Sequence, residues 1–232
     1  MNVVEGGIML DYSRQRMTSV TLDLLQSLAE HQQLEEKIAS MFRGALINFT
    51  EGRAVLHTAL RADLSSPLRP HADGKDVVME VHAVLDKIRT FSTLVRSGDI
   101  TGYTGKRIRN IVSVGIGGSY LGPEFLHECL KTEPRGVNEA LGYTLRFLSN
   151  VDPVDVERTC SELDPEETLI VVVSKTFTTA ETMLNARTMR QWLWDFMGND
   201  EEVVRRHVVA CASESSAERV KEVRRGGGGV EG

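Results

Sequence analysis

Cysteine is scarce in this sequence, and what there is lies scattered. Cys129, Cys160 and Cys211 form no CxxC pair and sit far apart. A disulfide framework and a zinc ribbon are thereby excluded as organising devices, and buried thiols in a reducing compartment are expected. The six histidines are as dispersed: no HExxH and no Cys/His cluster at zinc spacing occurs. No metal site and no cofactor is expected from local motifs. Long apolar runs are missing too, and nothing approaches the length of a membrane span. The opening "MNVVEGGIML" has no basic flank, and Glu5 interrupts its short apolar patch, so it does not read as a secretory signal. Positive charge is in deficit, with 27 Lys and Arg against 33 Asp and Glu. The basic field that non-specific nucleic-acid binding needs is absent, and any anion site must be local. The expectation is a soluble cytoplasmic protein whose partner is a small molecule, with neither nucleic acid nor membrane.

What is present is ordinary globular composition over 232 residues, 41% hydrophobic and 26% charged. That suits one good-sized domain plus a helical appendage. Residues 1–106 read as a helical N-terminal region. Val20, Leu24, Leu28, Leu34, Ile38 and Phe42 recur at helical spacing. "TEGRAVLHTALRA" reads as a further helix, with Thr50 as its cap and Glu51 and Arg53 as surface charges. His57 beside its apolar stripe reads as structural. "VVMEVHAVLDKIRTFSTLVRSG" predicts a long amphipathic helix closed by Gly98.

From about residue 107 the pattern changes to short apolar runs alternating with helical ones. Strands are predicted at about 110–115, 144–149, 168–173 and 207–212. Asp152 and Pro153 are placed to open the helix between the second and third. Strands apolar on both faces predict a parallel α/β sheet covered by helices on both sides. Residues 107–222 form this domain, and "RRGGGGVEG" within 223–232 reads as a flexible tail. Trp192 and Trp194, near a helix end, read as packing residues.

Two strand ends carry unusual sequences. In "VGIGGSYLGP" the glycines at 115, 117 and 118 let the backbone approach a ligand, and Ser119 adds a hydroxyl. This is not a dinucleotide fingerprint, because Tyr120 stands where the third glycine belongs, and no Walker lysine follows. In "SKTFTT" Ser174, Thr176, Thr178 and Thr179 offer four hydroxyls around Lys175. A capping box of Thr178 with Glu181 accounts for one hydroxyl. It does not account for four and a cation, which together suit a phosphate pocket.

At these loops the sequence resembles the glucose-6-phosphate isomerase family, in its eukaryotic cytosolic form. "GIGGSYLGP" and "SKTFTTAET" resemble its two signature loops. "LDYSRQR", "NFTEGRAVLHTALR", "HADGKDVV" and "RFLSNVDPVD" also match in order, over about residues 7–212. The resemblance implies a sugar-isomerase (SIS) fold, a three-layer α-β-α sandwich on a five-stranded parallel sheet. It implies that Gly118, Ser119, Ser174, Lys175, Thr176, Phe177, Thr178 and Thr179 bind a hexose phosphate, while Tyr120 falls at a variable position. It implies aldose–ketose isomerisation of glucose 6-phosphate and fructose 6-phosphate in glycolysis and gluconeogenesis, and a homodimer. The family's acid–base residues belong to motifs such as "GGRYS" that do not occur in these 232 residues. No catalytic residue is therefore assigned, and the expectation is a fragment that binds without turning over. A non-catalytic phosphosugar-binding module and a truncated or misread gene product stand as alternatives.

Overall fold

The structure is a computed structural model that describes residues 2–67, 69–72 and 74–224. The chain divides into two compact units, Met1–Arg89 and Thr90–Gly232.

The first unit opens on a hairpin of β1 (Asn2–Glu5) and β2 (Ile8–Asp11). Gly6 and Gly7 both take positive φ, +56° and +79°, as a two-residue hairpin turn requires. Helices α1 (Ser19–His31) and α2 (Leu34–Phe42) follow, and Thr18 caps α1 in a reciprocal capping box with Thr21. Their predicted apolar stripe forms, but neither helix has a buried residue; Leu24 is 67% exposed. The helix expected across "TEGRAVLHTALRA" does not form. Only one 3-10 turn, Ala59–Arg61, appears there. Turn chemistry overrides helical periodicity: Asn48 and Arg53 bridge through their backbones, Asn48 Oδ1 accepts from Thr50 Oγ1 at 2.7 Å, and Gly52 sits at φ +63°. Two short strands, β3 (His71–Ala72) and β4 (Lys75–Asp76), lead into α3 (Val77–Ser97). Residues 1–106, expected as a helical region, hold α1, α2 and α3 together with these two short strand pairs. The unit's small core gathers Ala59, Val77 and Val78.

The second unit takes the end of α3, which stops before Gly98 at φ +88° as predicted. It continues with β5 (Asn110–Val114), α4 (Leu121–Leu130), α5 (Pro134–Ala140), β6 (Thr144–Leu148), α6 (Pro153–Cys160) and β7 (Thr168–Val173). It ends with α7 (Ala180–Met197), α8 (Glu201–His207), β8 (Val208–Cys211) and α9 (Ala217–Arg224). All four predicted strands form one parallel sheet in the order β6-β5-β7-β8. Five strands were implied; the described residues supply four. Asp152 caps α6 through Val154 N, with Pro153 in the first turn.

Strand alternation sorts the core. Val112, Val114, Leu148, Ile170 and Val172 face one way and pack with Met183, Ala186, Met189 and Leu193 of α7 and Val203 of α8. Trp192 and Trp194 pack against this core. Leu169 and Val171 face the other way and meet Val95 and Phe91 of α3. Helices thus lie on both faces, giving the three-layer α/β class. The handedness rule explains the layers: connections running opposite ways from β5 place their helices on opposite faces. The expected flexible tail lies, from residue 225 on, outside the described residues. No helix among the described residues is long and apolar enough to cross a membrane.

Candidate phosphate site

The strand order itself selects a place for a ligand. From β5 the chain moves to β6 on one side and then returns to β7 on the other. Between β5 and β7 the two connections part, and it is at such a point, beyond the strands' C-terminal ends, that open α/β sheets form their ligand crevice. The two strands pair in parallel to their last residues, Val114 opposite Val172. Neighbouring strands lie about 4.8 Å apart. The two loops singled out in the sequence therefore leave the sheet side by side at this crevice.

The β5 loop is shaped by its glycines. Gly115 continues the ladder by donating to Leu148 O at 3.3 Å. A Cβ on Gly115 would stand 2.9 Å from the Ser119 carbonyl oxygen, so only glycine lets the loop fold back this tightly. Gly117 takes φ +56° and opens a single 3-10 turn, Gly117–Ser119. Gly118 is exposed, and a Cβ there would meet nothing within 4 Å. Ser119 is half-buried. Tyr120 stacks edge-on against Phe147 at 5.8 Å. A hydrogen bond to Glu124 pushes its hydroxyl's pKa up, so it stays a neutral phenol. Helix α4 begins here, and its first amides point towards the loop.

The β7 loop divides its residues between inside and outside. Ser174 is buried, and its amide donates to Cys211 O at 3.0 Å, extending the ladder with β8. Its Oγ accepts from Phe177 N at 3.2 Å. Phe177 drops its ring into the core and holds φ +54°, a left-handed turn that reverses the chain. Lys175, Thr176 and Thr178 are exposed, and the two threonine hydroxyls lie 2.7 Å apart. Thr179 is the N-cap of α7 by backbone position, but no side chain caps that helix. The capping box of Thr178 and Glu181 is thus absent; the Thr178 hydroxyl pairs with that of Thr176 instead.

The structure brings Lys175, Thr176 and Thr178 together on one exposed turn, next to the N-terminus of the 18-residue helix α7. Gly118 and Ser119 stand on the neighbouring strand's loop. Ser174 and Phe177 are spent largely on the turn itself, though the Ser174 hydroxyl keeps a proton to donate. This set can bind an anion: hydroxyls, an ammonium and two helix N-termini all supply donors here, although each helix also carries a glutamate, Glu124 or Glu181, in its first turn. Among the described residues, no group of three or more His, Cys, Asp or Glu side chains is placed to hold a metal.

Sequence reasoning missed the support behind this turn. Ser213, Ser216 and Arg219 follow β8 and reach the Lys175 and Thr176 carbonyls. The cluster "SESS" at the end of the fourth predicted strand was the available signal.

Comparison with known proteins gives a consistent result. Residues 11–224 match the model of the family described as phosphoglucose isomerase. The cytosolic glucose-6-phosphate isomerase of Arabidopsis thaliana is 54% identical over 207 residues, covering 89% of this chain and 36% of that protein. Cytosolic glucose-6-phosphate isomerase B of rice is 55% identical over the same coverage. The chain thus spans about a third of the length of the curated relatives it matches. A crystal structure of a glucose-6-phosphate isomerase from Chlamydia trachomatis superimposes with a TM-score of 0.68 at 28% identity, covering 93% of this chain and 39% of that one.

Proposed function

This chain belongs to the phosphoglucose isomerase family, and we propose that the crevice between β5 and β7 holds the phosphate of a hexose 6-phosphate. The whole protein would interconvert glucose 6-phosphate and fructose 6-phosphate as an aldose–ketose isomerase. One observation carries the reading: the glycine loop and the hydroxyl-and-lysine turn, far apart in sequence, emerge side by side where the sheet's connections diverge. Lys175, Thr176, Thr178 and Thr179 grip the phosphate oxygens, with Ser174 donating its remaining proton from beneath. Gly118 and Ser119 face the ligand from the β5 side, and the open space over Gly118 supports that placement. Phe177 binds through its place in the turn rather than through its ring. The described residues supply the grip, and proton transfer is assigned to none of them.

Both plant relatives are named cytosolic, and we place this chain in the same compartment. A second copy of the chain is the protein partner we propose, after the family's homodimer. Calorimetric titration of the chain with glucose 6-phosphate, fructose 6-phosphate and glucose tests the reading. Saturable binding of both phosphates but not of glucose, weakened by Ser174→Ala with Thr176→Ala, is expected. Equal binding of glucose and its phosphate would show that the crevice does not recognise phosphate.

A further inference from the structure

The Lys175 carbonyl is held by three donors at once: Ser213 N at 3.0 Å, Ser213 Oγ at 2.7 Å and Ser216 Oγ at 3.2 Å. Ser216 is fully buried, and its hydroxyl lies 3.0 Å from that of Ser213, so its single proton is shared between the Lys175 carbonyl and the Ser213 oxygen. Arg219 Nη1 donates to the next carbonyl, Thr176 O, at 3.1 Å. All three side chains follow β8. Strand β7 has β8 on one side and β5 on the other. Carbonyls held from the β8 side therefore point away from the crevice.

A trans peptide sets its N–H opposite its C=O. Turning the Lys175 carbonyl towards β8 thus turns the Thr176 N–H towards β5 and the crevice. The next amide, Phe177 N, is already committed to Ser174 Oγ. Hydrogen bonds on a carbonyl also polarise its peptide and strengthen the N–H at the other end. Released from its three donors, the Lys175 carbonyl could swing into the crevice and oppose an anion with its oxygen.

We propose that Ser213 and Ser216, seconded by Arg219, are positioning residues for the phosphate turn: they hold two carbonyls back and aim the Thr176 amide at the ligand. This inference rests on the phosphate reading above and adds to it residues that touch no ligand. The same architecture explains why a buried serine stands directly behind an exposed turn.

The test uses the full chain labelled with 15N, titrated with inorganic phosphate and with glucose 6-phosphate. In the unaltered chain the Thr176 amide resonance is expected to move strongly on binding. Ser213→Ala with Ser216→Ala should weaken affinity about 3- to 10-fold, as for the loss of one net hydrogen bond. It should also shrink the Thr176 shift, while sheet amides such as Val112 and Val172 keep their positions. Ser213→Thr, which keeps the hydroxyl, should restore both. Should the double variant lose its folded spectrum, Ser213→Ala alone is read in the same way, and so is Arg219→Gln on the exposed side. Unaltered affinity and Thr176 shift in folded variants overturn the positioning role and leave the phosphate reading standing. No binding by the unaltered chain overturns both.

Discussion

His207 makes the second unit's stability depend on pH in a way that can be worked from its contacts. The side chain is wholly buried. Its Nδ1 lies 2.7 Å from Thr168 O, and its Nε2 accepts from Tyr103 N at 2.8 Å. A carbonyl oxygen can only accept, so the proton belongs on Nδ1 and the ring is neutral. A second proton would set Nε2–H against the Tyr103 N–H with no room to turn away: a Cβ on neighbouring Gly102 would already meet the ring at 2.7 Å. Burial holds the folded pKa below the ordinary 6.5, against smaller opposite pulls from Thr168 and Glu166. The unfolded chain therefore takes up the proton first as pH falls. Stability contributed by this group is complete above pH ~6.5 and is lost below it, at up to about 1.4 kcal/mol per pH unit. The window down to pH ~5 is largely free of carboxylate titration. The Glu202 carboxyl, held down to about 2 by Arg205 and Arg206, acts only at lower pH. Urea unfolding followed by tryptophan fluorescence reads this unit, because Trp192 and Trp194 pack on its core. His207→Phe should cost about 2–4 kcal/mol at pH 8, chiefly by stranding the Tyr103 amide. It should also abolish the slope between pH 6.5 and 5. The same slope in both proteins would refute the assignment.

Other consequences follow from particular contacts. Phe177→Ala empties a core position and should lower the stability of the same unit by about 3–5 kcal/mol in urea titration. Gly115→Ala should cost about 1–3 kcal/mol because its Cβ meets the Ser119 carbonyl at 2.9 Å, whereas Gly118→Ala should leave the melting temperature almost unchanged and still weaken glucose 6-phosphate binding. The exposed stripe of α1 and α2, with Leu24 at 67% and Leu28 at 56%, should make the isolated chain bind a hydrophobic dye or self-associate in sedimentation. Leu24→Glu with Leu28→Glu should suppress that behaviour.

Much of the sheet was legible because its signals are local and redundant. The apolar runs at 110–114 and 168–173, the Asp152–Pro153 start and the Gly98 stop each state their geometry within a few residues. The crevice needed one further step, the strand order, which no single segment records. Elsewhere competing local chemistry won. Gly6-Gly7 makes a hairpin out of a stretch set aside as a non-signal, and Asn48 turns "NFTEGR" before a helix can start. The Thr178–Glu181 spacing fits a capping box, yet the left-handed Phe177 rotates Thr178 towards Thr176. The Ser213 and Ser216 brace was illegible for a different reason: its meaning lies in contacts across about 40 residues, and serine clusters alone do not say what they hold.

Whether the proposed site between β5 and β7 takes up a phosphate is decided by mapping backbone amide shifts while glucose 6-phosphate is added. Saturable shifts concentrated at residues 117–122 and 175–180 are expected. Shifts concentrated instead in the apolar groove lined by Phe91, Leu126 and Leu145, or in the first unit, would contradict the proposal.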